Sequence, residues 1–232
     1  MVLNVSYDDR ALRGFVLLEV ALAILIVGVL GTLGISGYRA VCEHRAYSVT
    51  EQRMERALAA LAQYVKRTGC LPCPASIDSQ GESVGQGAMG CPTSVGTLPY
   101  AVLGMSVREA QDGWQRPLTY AMDPALHPST LDVQTHESML GPFCEVQPDA
   151  LSIAGTSVSV SMSHPAVVLV SHGPTGPTTQ IPDKAQNAGV NGVFVDQSDD
   201  RGFDDIVRFV SRDNLLAFYA QTSCPAVSKT GP

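Results

Sequence analysis

Three groups of residues have the types and spacings that chemistry needs. The first is a lone carboxylate, Glu19, near the start of an apolar run that is otherwise uncharged between Arg13 and Arg39, RGFVLLEVALAILIVGVLGTLGISGYR. A carboxylate inside a bilayer costs on the order of 2.5–3.5 kcal/mol at mid-depth and less near an end, so it implies a function and a cationic partner. Within the sequence the nearest cations, Arg10 and Arg13, precede the run.

The second group is six cysteines: Cys42, Cys70, Cys73, Cys91, Cys144 and Cys224. Cys70-Leu71-Pro72-Cys73-Pro74 has the spacing of a thiol-redox motif, but such motifs open a helix after a strand, where the helix N-terminus lowers the thiol pKa. Here the motif follows a helical pattern and enters a proline-rich loop. A zinc site is the other sharp reading, yet only one Cys-x-x-Cys occurs, with Cys91 and Cys144 scattered. Disulfides among Cys70, Cys73, Cys91, Cys144 and Cys224 are the preferred reading if the domain is exported. Their pairing stays open, and Cys42 is the candidate odd thiol.

The third group is acidic. Asp196, Asp199, Asp200, Asp204 and Asp205 surround Gly202, and hard oxygen ligands this close could hold calcium. The spacing is not that of an EF-hand, and a solvated acidic turn bonding its own backbone is the favoured alternative. Ser171-His172-Gly173 ends an apolar run, but without a Gly-x-Ser-x-Gly elbow it reads as a turn at a strand end.

These residues need elements to hold them. A helix over residues 15–37 would rise about 34 Å, enough for a hydrocarbon core of about 30 Å. With Arg10 and Arg13 ahead of it, the positive-inside bias sends everything after Arg39 outward, into a compartment where disulfides form. No small-x-small site follows the run, and Val41 precedes Cys42 where a lipoprotein signal needs a small residue. The net charge of -7 and pI near 5.1 argue against a nucleic-acid coat.

Beyond the run, Tyr47, Met54, Leu58, Leu61 and Val65 recur at helical spacing, with Glu51, Arg53, Glu55 and Arg56 on the other side. Lys66, Arg67 and Gly69 form a stop signal, so one stem helix over 15–68 is expected. Residues 69–96 read as a loop rich in Cys, Gly and Pro. About 160 residues remain after the stem, enough for one core.

The residues Arg13-Gly14-Phe15-Val16-Leu17-Leu18-Glu19 closely resemble the class III signal of type IV pilins and of the pseudopilins of type II secretion. The resemblance implies that a membrane prepilin peptidase cuts between Gly14 and Phe15 and methylates the new N-terminus at Phe15. It implies that Glu19 pairs with the N-terminal amine of a neighbouring subunit during assembly. That amine, with a reference pKa of about 7.7–8.0, is the missing cation. Asp112-Gly113-Trp114-Gln115-Arg116-Pro117-Leu118-Thr119-Tyr120 is similar to a hairpin of the major pseudopilin, with Gln115 where glycine is usual. Asp-Gly suits a tight turn, and Trp114 with Tyr120 is the expected aromatic packing beside it.

In the head, LPYAVLGM, PLTYAM, LSIAGTSVSVSM, HPAVVLVS, GVFVDQ and DDIVRFVS read as strands, residues 107–110 as one helical turn, and residues 212–219 as a short helix capped by Ser211. The expected fold class is α+β, type IV pilin-like: a long N-terminal helix packed on an antiparallel sheet. The expected organisation is a leader (1–14), a transmembrane stem (15–37), its amphipathic continuation (38–68), the loop (69–96) and a periplasmic head (97–232).

The expected function is a structural subunit, not an enzyme, and minor more than major because the head is large and the cysteine loop long. The implied location is the bacterial inner membrane, single-pass, and then the assembled filament. The implied partners are prepilin peptidase, other pilin or pseudopilin subunits, an inner-membrane assembly platform and membrane lipid, with no nucleic acid. No cofactor is expected beyond possible calcium. The alternative is a membrane-anchored periplasmic binding or thiol-redox protein with an unprocessed signal anchor.

Overall fold

A computed structural model describes residues 9–83, 90–127, 140–155, 164–197 and 202–224, with the side chains of 9–17 and 30–36 excepted. The chain forms two compact units, Met1–Arg45 and Ala46–Pro232.

The first helix, α1, runs Asp9–Thr68 and contributes to both units. It begins ahead of Phe15, where the stem was expected to start. In the first unit its described apolar side chains are exposed: Leu22 by 59 %, Ile24 by 67 % and Val27 by 68 %. Among the described residues no helix is long and apolar enough to cross a membrane. The expected span over 15–37 includes residues 15–17 and 30–36, whose side chains lie outside the described set.

In the second unit the same helix is amphipathic, as its spacing predicts. Met54, Leu58, Leu61 and Val65 are buried, joined by Ala57 and Ala62, while Glu51, Glu55 and Arg56 are exposed. The helix ends at Gly69, whose φ of 73° is the left-handed conformation that glycine adopts most easily. Its N–H bonds back to Val65 O at 2.7 Å.

The sheet against which these residues pack has four antiparallel strands in the order β1-β2-β4-β6. They are β1 (Val95–Thr97), β2 (Thr119–Met122), β4 (Val167–Ser171) and β6 (Ile206–Val210). Strand alternation divides the core. Leu118, Tyr120, Met122, Val167 and Leu169 join the α1 residues, whereas Ala121, Val168, Val170 and Val207 pack with Leu151, Ile153 and Phe194 on the other face. Buried on both faces, β4 reads in the sequence as a continuous apolar run.

The second face is covered by a two-stranded sheet of β3 (Ser152–Ala154) and β5 (Val193–Val195), which pair in parallel. A parallel pair needs a long crossover, and here β4 and α4 (Pro182–Asn187) lie between the two strands in sequence. The α+β class with an antiparallel sheet therefore holds, with this parallel pair added.

Other expectations shift. Part of LPYAVLGM is α2 (Tyr100–Leu103), not strand, and ordered strand begins at Val95 inside the expected loop. Residues 107–110 form a turn. Ser211 caps α5 (Arg212–Asn214), accepting from Asn214 N, and a π-helical turn follows at Leu215–Tyr219. A short α3 (Gly141–Glu145) was not expected. All of SVSVSM lies outside the described residues.

Candidate functional site

The backbone at Gly14, Phe15 and Glu19 is helical. Glu19 is exposed, flanked by Leu18 at 70 % and Val20 at 51 % exposure. It is thus a single carboxylate on an uncovered apolar helix surface. Gly28 and Gly37 have no heavy atom within 4 Å of where a Cβ would stand. Those positions are open to close approach by another helix.

Four of the five cysteines expected in disulfides are bonded. Cys73 pairs with Cys91 across 18 residues, and Cys144 with Cys224 across 80. In the chain-entropy picture the two closures contribute about 3 and about 4.5 kcal/mol. Cys70 is the correction: it is free and buried, as Cys42 is free and exposed. Burial pushes the Cys70 thiol pKa up, against a lesser lowering by its bond to Thr68. A thiol so placed is a poor nucleophile. Because its neighbour Cys73 is bonded to Cys91, the Cys-x-x-Cys sequence does not form a redox pair with itself.

The acidic stretch is divided. Asp199 and Asp200 lie outside the described residues, and Asp196 is half-buried, with its carboxyl pKa raised by burial and less strongly lowered by Arg208. Asp204 and Asp205 converge on Lys184 of α4, a residue that sequence reasoning did not single out. Lys184 is fully buried and its Nζ donates to His172 O at 3.0 Å, to Thr175 Oγ1 at 2.8 Å and to Asp204 Oδ1. Asp205 Oδ1 is 2.8 Å from the same nitrogen, a charge contact without hydrogen-bond alignment.

Both acids have further partners. Asp204 Oδ2 accepts from Thr175 N at 2.9 Å. Burial alone would raise the Asp204 pKa, but the bonds from Lys184 and Thr175 outweigh it and hold the carboxyl below its usual value. Asp205 Oδ2 accepts from Asn187 Nδ2 at 3.0 Å, and Asn187 Oδ1 accepts from Val195 N at 2.7 Å, tying α4 to β5. Both carboxylates already neutralise an internal cation. A calcium ion using them would have to displace Lys184.

Ser171 and His172 do not act on each other. Ser171 Oγ donates to Asp112 Oδ2 at 2.8 Å, while His172 Nε2 lies 2.9 Å from Thr119 Oγ1 and Nδ1 lies 3.5 Å from Asp205 Oδ2. Asp112, fully buried, also accepts from Trp114 N and Arg116 N with Oδ1, closing the turn that the Asp-Gly pair foretells. Arg116 Nη2 reaches Pro174 O at 2.8 Å, and its Nη1 donates to Gly173 O.

The aromatic partner at this turn differs from the expected one. Trp114 packs edge to face on Tyr47 of α1, with centroids 4.9 Å apart. Tyr120 is buried elsewhere, its hydroxyl donating to Pro72 O at 3.0 Å. Gly113 N donates to Thr50 Oγ1 at 2.8 Å, and Arg53 Nη1 bonds Asp112 O at 2.8 Å. The turn is thereby a clamp on α1, joined through Asp112 to the end of β4. These contacts make a rigid polar framework that joins helix, sheet and loops.

Compared with known proteins, the chain matches no protein-family model, no curated protein and no solved structure.

Proposed function

We propose that this chain is a structural subunit, of the minor kind, of a type IV pilus or a type II secretion pseudopilus. It is made with a leader that a prepilin peptidase removes after Gly14, leaving a methylated Phe15. Its stem lies in the bacterial inner membrane with the head in the periplasm until assembly draws the stem into a filament with other pilin or pseudopilin subunits. It is a building element and not an enzyme.

One observation carries this reading: an uncovered apolar helix surface bears one acid, Glu19, four residues after the position that cleavage would make a new amine. Exposed apolar area of this kind calls for lipid or neighbouring subunits. Lone acids on such surfaces call for a cation, and the amine of an adjacent subunit supplies one. A helix half packed on an antiparallel sheet and two disulfides suit an exported head.

The thiol-redox alternative loses its main support, since Cys70 and Cys73 do not pair and the Cys70 thiol is buried. The test is intact mass and N-terminal sequencing of membrane-extracted protein from cells with and without prepilin peptidase. A peptidase-dependent N-terminus at methylated Phe15 is expected. An intact leader in both strains would overturn the reading.

A further inference from the structure

Cys73 leaves α1 in the loop that follows it, Cys91 precedes β1, and His127 follows a 3-10 turn at Pro124–Leu126. Three backbone hydrogen bonds bring these segments together: Leu71 N to Leu126 O at 2.9 Å, Ala75 N to Thr97 O at 2.9 Å, and Met122 N to Ser94 O at 3.0 Å. As a result the two sulfurs and one His127 ring nitrogen all lie within 4.8 Å of one another. The Met122 thioether adds a fourth donor, with its Sδ 3.9 Å from Cys91 Sγ. Cys73, Met122 and His127 are buried, and Cys91 is half-buried.

We infer that this cluster has a second, reduced state, in which Cys73, Cys91, His127 and Met122 hold one Cu(I) ion. Two thiolates, an imidazole and a thioether are a soft donor set, and the thioether favours Cu(I) over zinc. The neutral imidazole of histidine is a common metal ligand. In a tetrahedral site with metal–sulfur bonds of about 2.3 Å the two sulfurs stand roughly 3.7 Å apart. The bonded pair therefore has to open, with the half-buried Cys91 the freer side chain to turn.

The chemistry balances with a dithiol or phosphine reductant. The Cys73–Cys91 bond breaks and two thiols form: a dithiol supplies two electrons and two protons and becomes its own disulfide, or a phosphine supplies two electrons while one water supplies both protons and the oxygen of the phosphine oxide. Cu(I) then displaces both thiol protons as the metal–sulfur bonds form. Oxidation of the two sulfurs back to the disulfide, with the electrons passing to a thiol oxidant, releases the ion. The metal and the disulfide thus exclude each other.

The test uses the full-length chain in detergent, with Cys42→Ser removing the exposed thiol. Phosphine-reduced and oxidised samples are titrated anaerobically with Cu(I) against a chromogenic Cu(I) chelator. One equivalent is expected in the reduced protein beyond what a reduced control carrying Cys73→Ser and Cys91→Ser takes up at Cys144 and Cys224, and none in the oxidised protein. His127→Ala and Met122→Leu should each weaken binding at least about tenfold, a loss that even outer-shell changes produce. Cys70→Ala should leave it unchanged. X-ray absorption on the Cys42→Ser protein, with all four donors intact, should show one nitrogen and three sulfurs around copper. Absent binding after reduction, equal binding in both redox states, or a sulfur-only shell would each overturn the inference.

Discussion

Lys184 Nζ lies 2.8 Å from Asp205 Oδ1, and neither side chain has any exposed surface. The same ammonium meets Asp204, so a single cation on α4 holds two acids from the chain leading into β6. Removing one partner of a buried pair leaves an uncompensated charge, at a cost of about 3–5 kcal/mol. Lys184→Met should therefore destabilise the protein by about that amount in urea unfolding at neutral pH. Asp205→Leu in the Lys184→Met background should recover part of the loss. A single substitution that costs less than about 1 kcal/mol would show that the cluster is solvated in solution.

Acid should weaken the same cluster. The Asp204 carboxyl is held below its ordinary value, so its ionised form stabilises the folded state at pH above the unfolded value of about 3.9. That contribution is lost as pH falls through the lower, folded-state pKa. The urea midpoint of the native protein should thus drop on acidification from about pH 5 to below about pH 3. Asp204→Asn should show a shallower drop over that interval, and parallel curves for the two proteins would remove Asp204 from the account.

Gln115 occupies the turn with φ of 66°, in the region that costs a residue other than glycine about 1–3 kcal/mol. Its exposed side chain makes glycine a substitution without a lost core contact. Gln115→Gly should accordingly raise stability by about 1 kcal/mol, after the entropic cost that glycine adds to the unfolded chain. Thermal or urea unfolding checks it. An unchanged or lowered midpoint would mean that the turn relaxes around Gln115.

Gly113, two residues earlier, is constrained by space. A Cβ there would stand 2.1 Å from Ala46 O and 2.5 Å from Ala46 Cα, both backbone atoms of α1. Gly113→Ala must push the turn off the helix, breaking the Thr50 bond and separating Trp114 from Tyr47. A loss of about 2–3 kcal/mol is expected, at the upper end of ordinary single substitutions. Trp114, the one tryptophan, gives the readout: its fluorescence should shift to the red as it loses Tyr47. Native emission with native stability would contradict the clamp.

The sequence made the periodic parts of this fold legible and left the convergent parts hidden. Met54, Leu58, Leu61 and Val65 follow a helical period that survives tertiary packing, and the apolar run of β4 could be placed because both of its faces are buried. Tyr100–Leu103 has the aromatic and β-branched character of a strand, whereas Gly104, with φ of 71°, closes it as a single helical turn. The disulfide partners were illegible because pairing depends on which loops meet. Lys184 is hidden for a related reason. PDKAQN carries an ordinary surface-helix composition, and only the tertiary arrangement turns its lysine inward onto Asp204 and Asp205. The acidic cluster was visible, but its cation was twenty residues away in sequence from Asp204.

On the proposed function, Glu19 takes part in subunit assembly. Cleavage after Gly14 would then create an amine at Phe15, and its pairing with Glu19 of a neighbouring subunit would be an assembly interaction, not a requirement of the peptidase. At an effective dielectric of about 20, opposite charges 4 Å apart attract by about 4 kcal/mol, enough to favour one helix register over its neighbours. Glu19→Ala should leave processing at Phe15 intact while reducing incorporation into filaments at least about tenfold, as measured by the ratio of sheared to cell-associated protein. Glu19→Gln should behave like Glu19→Ala, because it keeps the size and loses the charge, whereas Glu19→Asp should retain part of the activity. Full incorporation of Glu19→Gln would sink the charge-pairing argument even if the N-terminus is processed as proposed.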